Sequence, residues 1–214
     1  MLEGQQAYDD HGNQVMLFPL DYLACTQTYG YNSYSHCCNK ATDWGYSTPN
    51  YAYPYYAPCD CEQLGISGAD NICRYRSVNR VVTPSGLKYV SFCFMHDDNP
   101  PTFSRVIRQG ELIGHMGNAG TSSGFHVHID QCQGTDFILL PSQQSCQVGG
   151  TCYYPDNELE PARTYFLTGD ETIVTTLGID YEVWDGEIHP YRPNFYSPVL
   201  WGNKRAWMRK RGLI

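Results

Sequence analysis

The chain has 214 residues, a length that suits one globular domain or one domain with a tail. It contains no run of about 18 apolar residues, which excludes a membrane-spanning helix. Its 14 basic and 22 acidic residues give a formal net charge of −8, which argues against a general nucleic-acid binder, whose surface needs clustered Lys and Arg.

The opening MLEGQQAYDDHGNQ lacks the basic and apolar regions of a signal peptide. Apolar or alternating stretches then recur at 14–20, 51–56, 79–83, 87–95, 105–107, 111–116 and 125–130, and each predicts a strand. Clusters of Gly, Pro, Asn, Asp and Ser at 83–86, 97–101 and 117–124 read as the turns and loops between them. No helical period of any length appears before residue 155. Composition agrees, since only 17% of residues are charged while Tyr (18), Gly (20) and Pro (13) are abundant, and helical surfaces carry more Lys and Glu. The expected fold is mainly β, an antiparallel sheet or sandwich with long loops and few short helices. After Pro155 the character changes. Residues 159–167 predict a short element and 168–177 a hairpin, and the end is aromatic, Pro-punctuated and basic over 204–211. That basic end reads as a solvated or partner-docking tail. A boundary is expected near residue 168, with a domain over 1–168 and a C-terminal extension over 169–214.

Ten cysteines are present and none forms a CxxC, so zinc-ribbon and thioredoxin-like readings have no footing. An even, high count suits an oxidising place of work, and Cys132, Cys146 and Cys152 are close enough in the chain to close small loops. The other reading is a set of buried thiols acting as small hydrophobes. The sequence alone leaves both open.

The most informative segment is Gly-Phe-His-Val-His-Ile-Asp at 124–130. On a strand, residues two apart share a face, so His126 and His128 project to one side while Phe125, Val127 and Ile129 go to the other. His36 precedes Asp43 in a polar stretch, and His96 ends the strand-like YVSFCFMH just before a turn. Strand ends of this kind base reactive groups rigidly yet leave them accessible. A hydrolytic zinc wants three protein ligands and one open position, and two neutral imidazoles with one carboxylate meet that need. The metal then keeps net positive charge and acts as a Lewis acid.

The stretch VIRQGELIGHMGNAGTSSGFHVH at 106–128 resembles, almost position by position, the "V..G..IG..GNTG.STG.HLH" pattern of the LytM/lysostaphin-type zinc endopeptidases (peptidase family M23). That family cuts the peptide part of bacterial peptidoglycan. It has an early His-xxx-Asp, a middle His ending a strand, and a late Gly-rich loop running into His-x-His. Upstream, Asp43-Trp44-Gly45 followed by YPYYAP at 53–58 is similar to the family's strand after the Asp, which ends in Ala-Pro. The resemblance covers roughly 30–132.

Carried over residue by residue, the resemblance implies that His36, Asp43 and His128 ligate Zn2+ and that His96 and His126 are the two catalytic, non-ligand histidines. One of the pair would move the proton from water to the leaving amine and the other would stabilise the oxyanion. The sequence departs from the family at three places. The early pair is His-x6-Asp rather than His-x3-Asp, Phe125 replaces the usual Pro, and Asp130 stands where Glu is common. Loops absorb such insertions at little cost. Some phage tail-associated members show a longer spacing of this kind.

The implied function is therefore a zinc metalloendopeptidase acting on peptidoglycan cross-links or stem peptides, outside the cell, either virion-associated at a phage tail or secreted. The extension at 169–214 would dock to other tail or lysin components. An alternative is a catalytically inactive wall-binding or partner-activating module of the same fold. A cupin-type metal site is a third, but it expects a Glu soon after His-x-His, and none follows His128 before Glu158. His115 and His189 read as surface or loop histidines, and Asp97 and Asp98 as turn formers. The tyrosines at 51, 53, 55 and 56 read as strand packing, with sugar stacking the sharper alternative.

Overall fold

The structure is a computed structural model. It describes residues 1–27, 29, 35–36, 39–45, 51–135, 147–148, 151–152, 157–168, 172–173, 181–184 and 187–190. In chain order the strands up to the His-x-His segment are β1 (Tyr22–Leu23), β2 (Cys25–Gln27), β3 (Thr42–Gly45), β4 (Pro54–Tyr56), β5 (Cys61–Ser67) and β6 (Ile72–Ser77). They continue with β7 (Val81–Thr83), β8 (Gly86–Lys88), β9 (Val90–Met95), β10 (Leu112–His115) and β11 (His126–Gln133). The expectation of a mainly antiparallel β fold holds.

One sheet organises the rest. Its order is β2-β3-β11-β9-β6-β5, and every neighbouring pair is antiparallel. The side-chain alternation explains why. Val127 and Ile129 of β11 are fully buried and meet Trp44 and Phe94 across the ladder, while His126, His128 and Asp130 take the opposite face. In β6, Cys73, Tyr75 and Ser77 are buried and the residues between them half-buried, which suits a strand with one covered face. Aromatic rings join the covered face to a second layer. Phe18, from the N-terminal stretch, sits edge-on to Trp44 at 4.7 Å, and Tyr55 of β4 stacks on Phe94 at 4.7 Å. Strand β4 is held in turn by β10.

Several expected strands are shortened. The stretch 14–20 makes single bridges to Tyr8, Val82 and Phe166 instead of a ladder, and 105–107 is reduced to a bridge between Ile107 and Cys61. The stretch 87–95 divides at Tyr89, because β8 turns back on β7 at the ThrProSerGly turn while β9 joins the large sheet. Four of the six strands of that sheet, β2, β3, β5 and β6, lie outside the expected set. Charged residues such as Glu62, Arg74 and Arg76 interrupt the apolar pattern of β5 and β6.

Beyond β11, two-residue strands β12 (Gln147–Val148) and β13 (Thr151–Cys152) pair with each other. The expected element at 159–167 is a 3-10 turn, Pro161–Arg163. Of the hairpin expected at 168–177, Thr168 and β14 (Thr172–Ile173) are described, β14 runs parallel to β1, and the remainder lies outside the described residues. A hairpin does form from β15 (Tyr181–Trp184) and β16 (Glu187–Pro190). Cys59, Cys61, Cys73 and Cys93 are buried free thiols, so for these four the small-hydrophobe reading holds. Cys37, Cys38, Cys146 and the basic end at 204–211 lie outside the described residues. No helix of the described residues is long and apolar enough to cross a membrane.

The segment around Glu158 extends the sheet along the far end of β11. Gln133 donates its backbone N–H to Asn157 at 2.7 Å, and Leu159 donates to Gln131 at 3.0 Å. Glu158 itself is buried; its Oε1 accepts the backbone N–H of Lys40. Burial, assisted by the charge of Asp130, pushes the Glu158 carboxyl from 4.5 up to about 8. The folded protein therefore keeps a proton that the unfolded chain has released, and stability present at the acid end is lost as pH rises through that window. Glu158→Gln keeps an oxygen for Lys40 and removes the titration. Urea unfolding at about pH 5 and about pH 8 is expected to show a smaller loss for the variant than for the wild type. Equal losses in both would contradict this reading of Glu158.

Candidate metal centre

Strand pairing assembles the site. With β11 between β3 and β9, His128 lies opposite Asp43 on one side and Met95 on the other. Because β9 ends at Met95, the next residue, His96, leaves the sheet beside His128. His36 reaches the same place from the segment that leads into β3. The imidazole of His36 and that of His128 stand edge to face with ring centres 4.8 Å apart.

Asp43 is the hub. Its Oδ1 lies 3.1 Å from His128 Nδ1, 3.4 Å from His36 Nε2 and 3.7 Å from His126 Nε2. One donor atom from each of His36, Asp43 and His128 falls within 4.8 Å of the others. A zinc held tetrahedrally at about 2.0–2.2 Å needs its donors roughly 3.3–3.6 Å apart, so this spacing suits a shared ion. His128 turns Nδ1 toward Asp43, while its Nε2 is buried without a hydrogen-bond partner among the described residues. Two nitrogens and a carboxylate oxygen are also the donor set zinc prefers at hydrolytic sites.

The electrostatics favour metal-ready protonation states at His36 and Asp43. Burial, reinforced by the neighbouring His128, pushes His36 down to about 3, so its ring is neutral and able to ligate. Burial alone would raise the Asp43 carboxyl, but the hydrogen bond from His128 and the charges of His36, His128 and His126 outweigh it and bring the group to about 2. His128 is likewise opposed by burial, yet its bond to Asp43 leaves it above its ordinary value. Asp130, on the same face, is raised to about 6 by burial.

His96 and His126 form a second pair, with ring centres 4.5 Å apart. Each Nδ1 points at a backbone carbonyl of the Gly-rich loop: His96 at Ala119 O, 2.8 Å, and His126 at Gly124 O, 2.8 Å. A carbonyl only accepts, so in its neutral form each ring carries the proton at Nδ1 and leaves Nε2 unprotonated. His96 also has φ +78°, a left-handed backbone that a residue with a Cβ adopts at some cost. Gly117 explains how the loop tolerates this: a Cβ there would lie 2.2 Å from His96 O. A cleft of about 490 Å3 opens on all five side chains and is lined further by Gly120, Thr121, Ser122, Ser123, Gln27 and Asp70.

The five residues singled out in the sequence thus come together. Others do not. His115 and His11 are exposed, and only the backbone of His189 in β16 is described. Asp97 is buried and accepts the backbone N–H groups of Asn99 and His115 at 2.8 Å and 2.7 Å, the turn-forming role expected of it. Tyr55 is fully buried core, whereas Tyr51 is 52% exposed. Asp70 and Ser122, which line the cleft, carry no signal in the sequence, because a hairpin turn and a Gly/Ser loop both use such residues routinely.

No family model matches the sequence. The chain is 29% identical over 177 residues to Morphogenesis protein 1 of Bacillus phage B103. That alignment covers 81% of this chain and 46% of the relative, so the chain spans less than half of that protein's length. Among solved structures, it is similar to a zinc containing peptidase from Vibrio cholerae, with TM-score 0.42, 19% identity, and coverage of 59% of this chain and 40% of that one.

A pre-formed donor group stabilises the fold when its ion binds. Zinc added at about 100 times its Kd is expected to raise unfolding free energy by about 2.7 kcal/mol. Calorimetry with zinc, and again after chelation, measures the shift. An unchanged Tm in both conditions would contradict a metal centre here.

Proposed function

We propose that this chain is a zinc-dependent endopeptidase of the LytM/lysostaphin type that hydrolyses peptide bonds in bacterial peptidoglycan. The observation that carries the reading is the convergence of three donor groups, His36, Asp43 and His128, with two bare imidazole nitrogens on one cleft. In this reading His36, Asp43 and His128 are the metal ligands and His96 and His126 the catalytic pair. Residues 1–168 form the endopeptidase domain and 169–214 an extension that docks to other phage tail or lysin components. The likeness to a Bacillus phage protein supports a phage setting, with action outside the cell at the wall.

Zinc, when bound, supplies Lewis acidity and makes water a stronger acid, toward a pKa of about 7. The chain's own part starts at the two Nε2 atoms. With Nδ1–H committed to Ala119 or Gly124, each ring accepts a proton only at Nε2. A ring that has taken the attacking water's proton there becomes a donor at both nitrogens. It returns that proton to the departing amine nitrogen. The other ring, once protonated, donates to the oxyanion of the tetrahedral carbon. Burial lowers the pKa of His96, which keeps it neutral and accepting at physiological pH. Small residues at Gly120–Ser123 let a peptide backbone come close.

Digestion of purified peptidoglycan of several cross-link types, with and without chelator, tests the reading when new termini are identified by mass spectrometry. Chelator-sensitive cleavage is expected, and none on any substrate would favour a non-enzymatic wall-binding module. His96→Ala and His126→Ala are expected to keep zinc yet lose turnover by about 10²–10⁴ each. Wild-type rates in either variant would remove that residue's role. Alanine at residue 36, 43 or 128 is expected to release the metal, and full zinc occupancy in all three variants would remove the ligand assignment.

A further inference from the structure

The turn between β5 and β6 is remote in sequence from every residue of the site, yet it grips the site twice. Asp70 Oδ1 accepts the backbone N–H of Thr121 at 2.6 Å, and Asp70 O accepts the backbone N–H of His96 at 2.8 Å. The approach is close enough to demand glycine. Gly120 has φ +71°, and a Cβ on it would stand 2.2 Å from Asp70 Oδ1 and 2.6 Å from Asp70 Cα. Asn71, the next residue, donates its side-chain amide to Asp97 O at 2.8 Å and ties the turn to the segment after His96.

Ala119, one residue before Gly120, is bonded to His96 at both ends. Its N–H donates to His96 O at 3.1 Å and its carbonyl accepts from the His96 ring at 2.8 Å. The loop then runs through Thr121, held by Asp70, to Gly124, whose carbonyl holds the His126 ring. Ser122 Oγ donates to Gly124 O at 2.9 Å and lies 3.2 Å from His126 Nδ1, so it braces the second carbonyl from within the loop, whereas Asp70 fixes the loop from outside, next to the first.

We propose that Asp70 is a positioning residue for the His96–His126 pair: by pinning Thr121 and the start of His96 it keeps both rings protonated at Nδ1 with Nε2 turned to the cleft. Its effect on turnover rests on the endopeptidase reading, but its effect on the tautomers does not. The group needed is a hydrogen-bond acceptor at Oδ1, so Asn is expected to replace Asp and Ala is not.

The test uses the full chain loaded with zinc, comparing wild type, Asp70→Ala and Asp70→Asn. Long-range 15N–1H correlation of the imidazoles reads the tautomers directly. The wild type and Asp70→Asn are expected to show Nδ1–H for both rings, and Asp70→Ala a mixture at His96. On peptidoglycan, Asp70→Ala is expected to lower kcat by 10- to about 100-fold with KM within about twofold, the scale of a small misplacement of catalytic groups. Asp70→Asn is expected to recover most of that loss. Unchanged tautomers and kcat in Asp70→Ala would overturn the proposal. So would a raised KM at wild-type kcat, which would make Asp70 a substrate contact. If Asp70→Ala fails to fold, an Asp70→Asn variant that has lost the Nδ1–H tautomers overturns it equally. A wild type that cleaves nothing counts against the endopeptidase reading alone, because the tautomer comparison still decides the role of Asp70.

Discussion

The register of β11 between β3 and β9 is the constraint on which the rest of the site depends. It sets His128 opposite Asp43 and next to the residue where β9 releases His96. Side chains alternate with a period of two, so a slip of one residue would send His126 and His128 into the apolar layer and Val127 and Ile129 into the cleft. The cost of that slip is what holds the register. Val127, Ile129, Trp44 and Phe94 are all fully buried, and rings of this size each remove on the order of 150–250 Å2 from water. The apolar face thus fixes the geometry of the polar one.

The polar face places an ionised carboxylate, Asp43, among imidazoles. Asp43 is ionised and buried, and its ion-pair contacts among the described residues are all to histidines. One of these, His36, is held neutral by burial. Burying charge without full compensation is expensive, and no Lys or Arg comes to this carboxylate among the described residues. A divalent cation at the spacing of these donors would add positive charge beside that carboxylate. His96 and His126 are held at Nδ1 by backbone carbonyls. A carbonyl only accepts, so it fixes which nitrogen of a neutral ring carries the proton.

Much of this was legible in the chain. The His-x-His alternation gave the shared face, the position of His96 at the end of an apolar run gave the strand end, and the turn clusters gave the boundaries at 83–86 and 117–124. What could not be read arises from contacts between segments far apart in sequence. Strands β5 and β6 carry Glu62, Arg74 and Arg76 on a half-covered face, so their apolar pattern is broken even though their pairing is long. Asp70 looks like an ordinary turn residue until the Gly120 loop is folded onto it. Glu158 gives no sign from its neighbours that it reaches back to Lys40, because that bond spans most of the domain. Local pattern reports which face a side chain takes, whereas partner choice across the fold is decided by topology.

In the proposed reading a single divalent ion is shared by the three side chains that this register brings together. Anomalous diffraction from zinc-loaded crystals, collected at the zinc edge, tests it most directly. A peak is expected at about 2.0–2.2 Å from an imidazole nitrogen of His36, one of His128 and a carboxylate oxygen of Asp43. A peak on cysteine sulfur instead, or none in the cleft at full zinc loading, would contradict it.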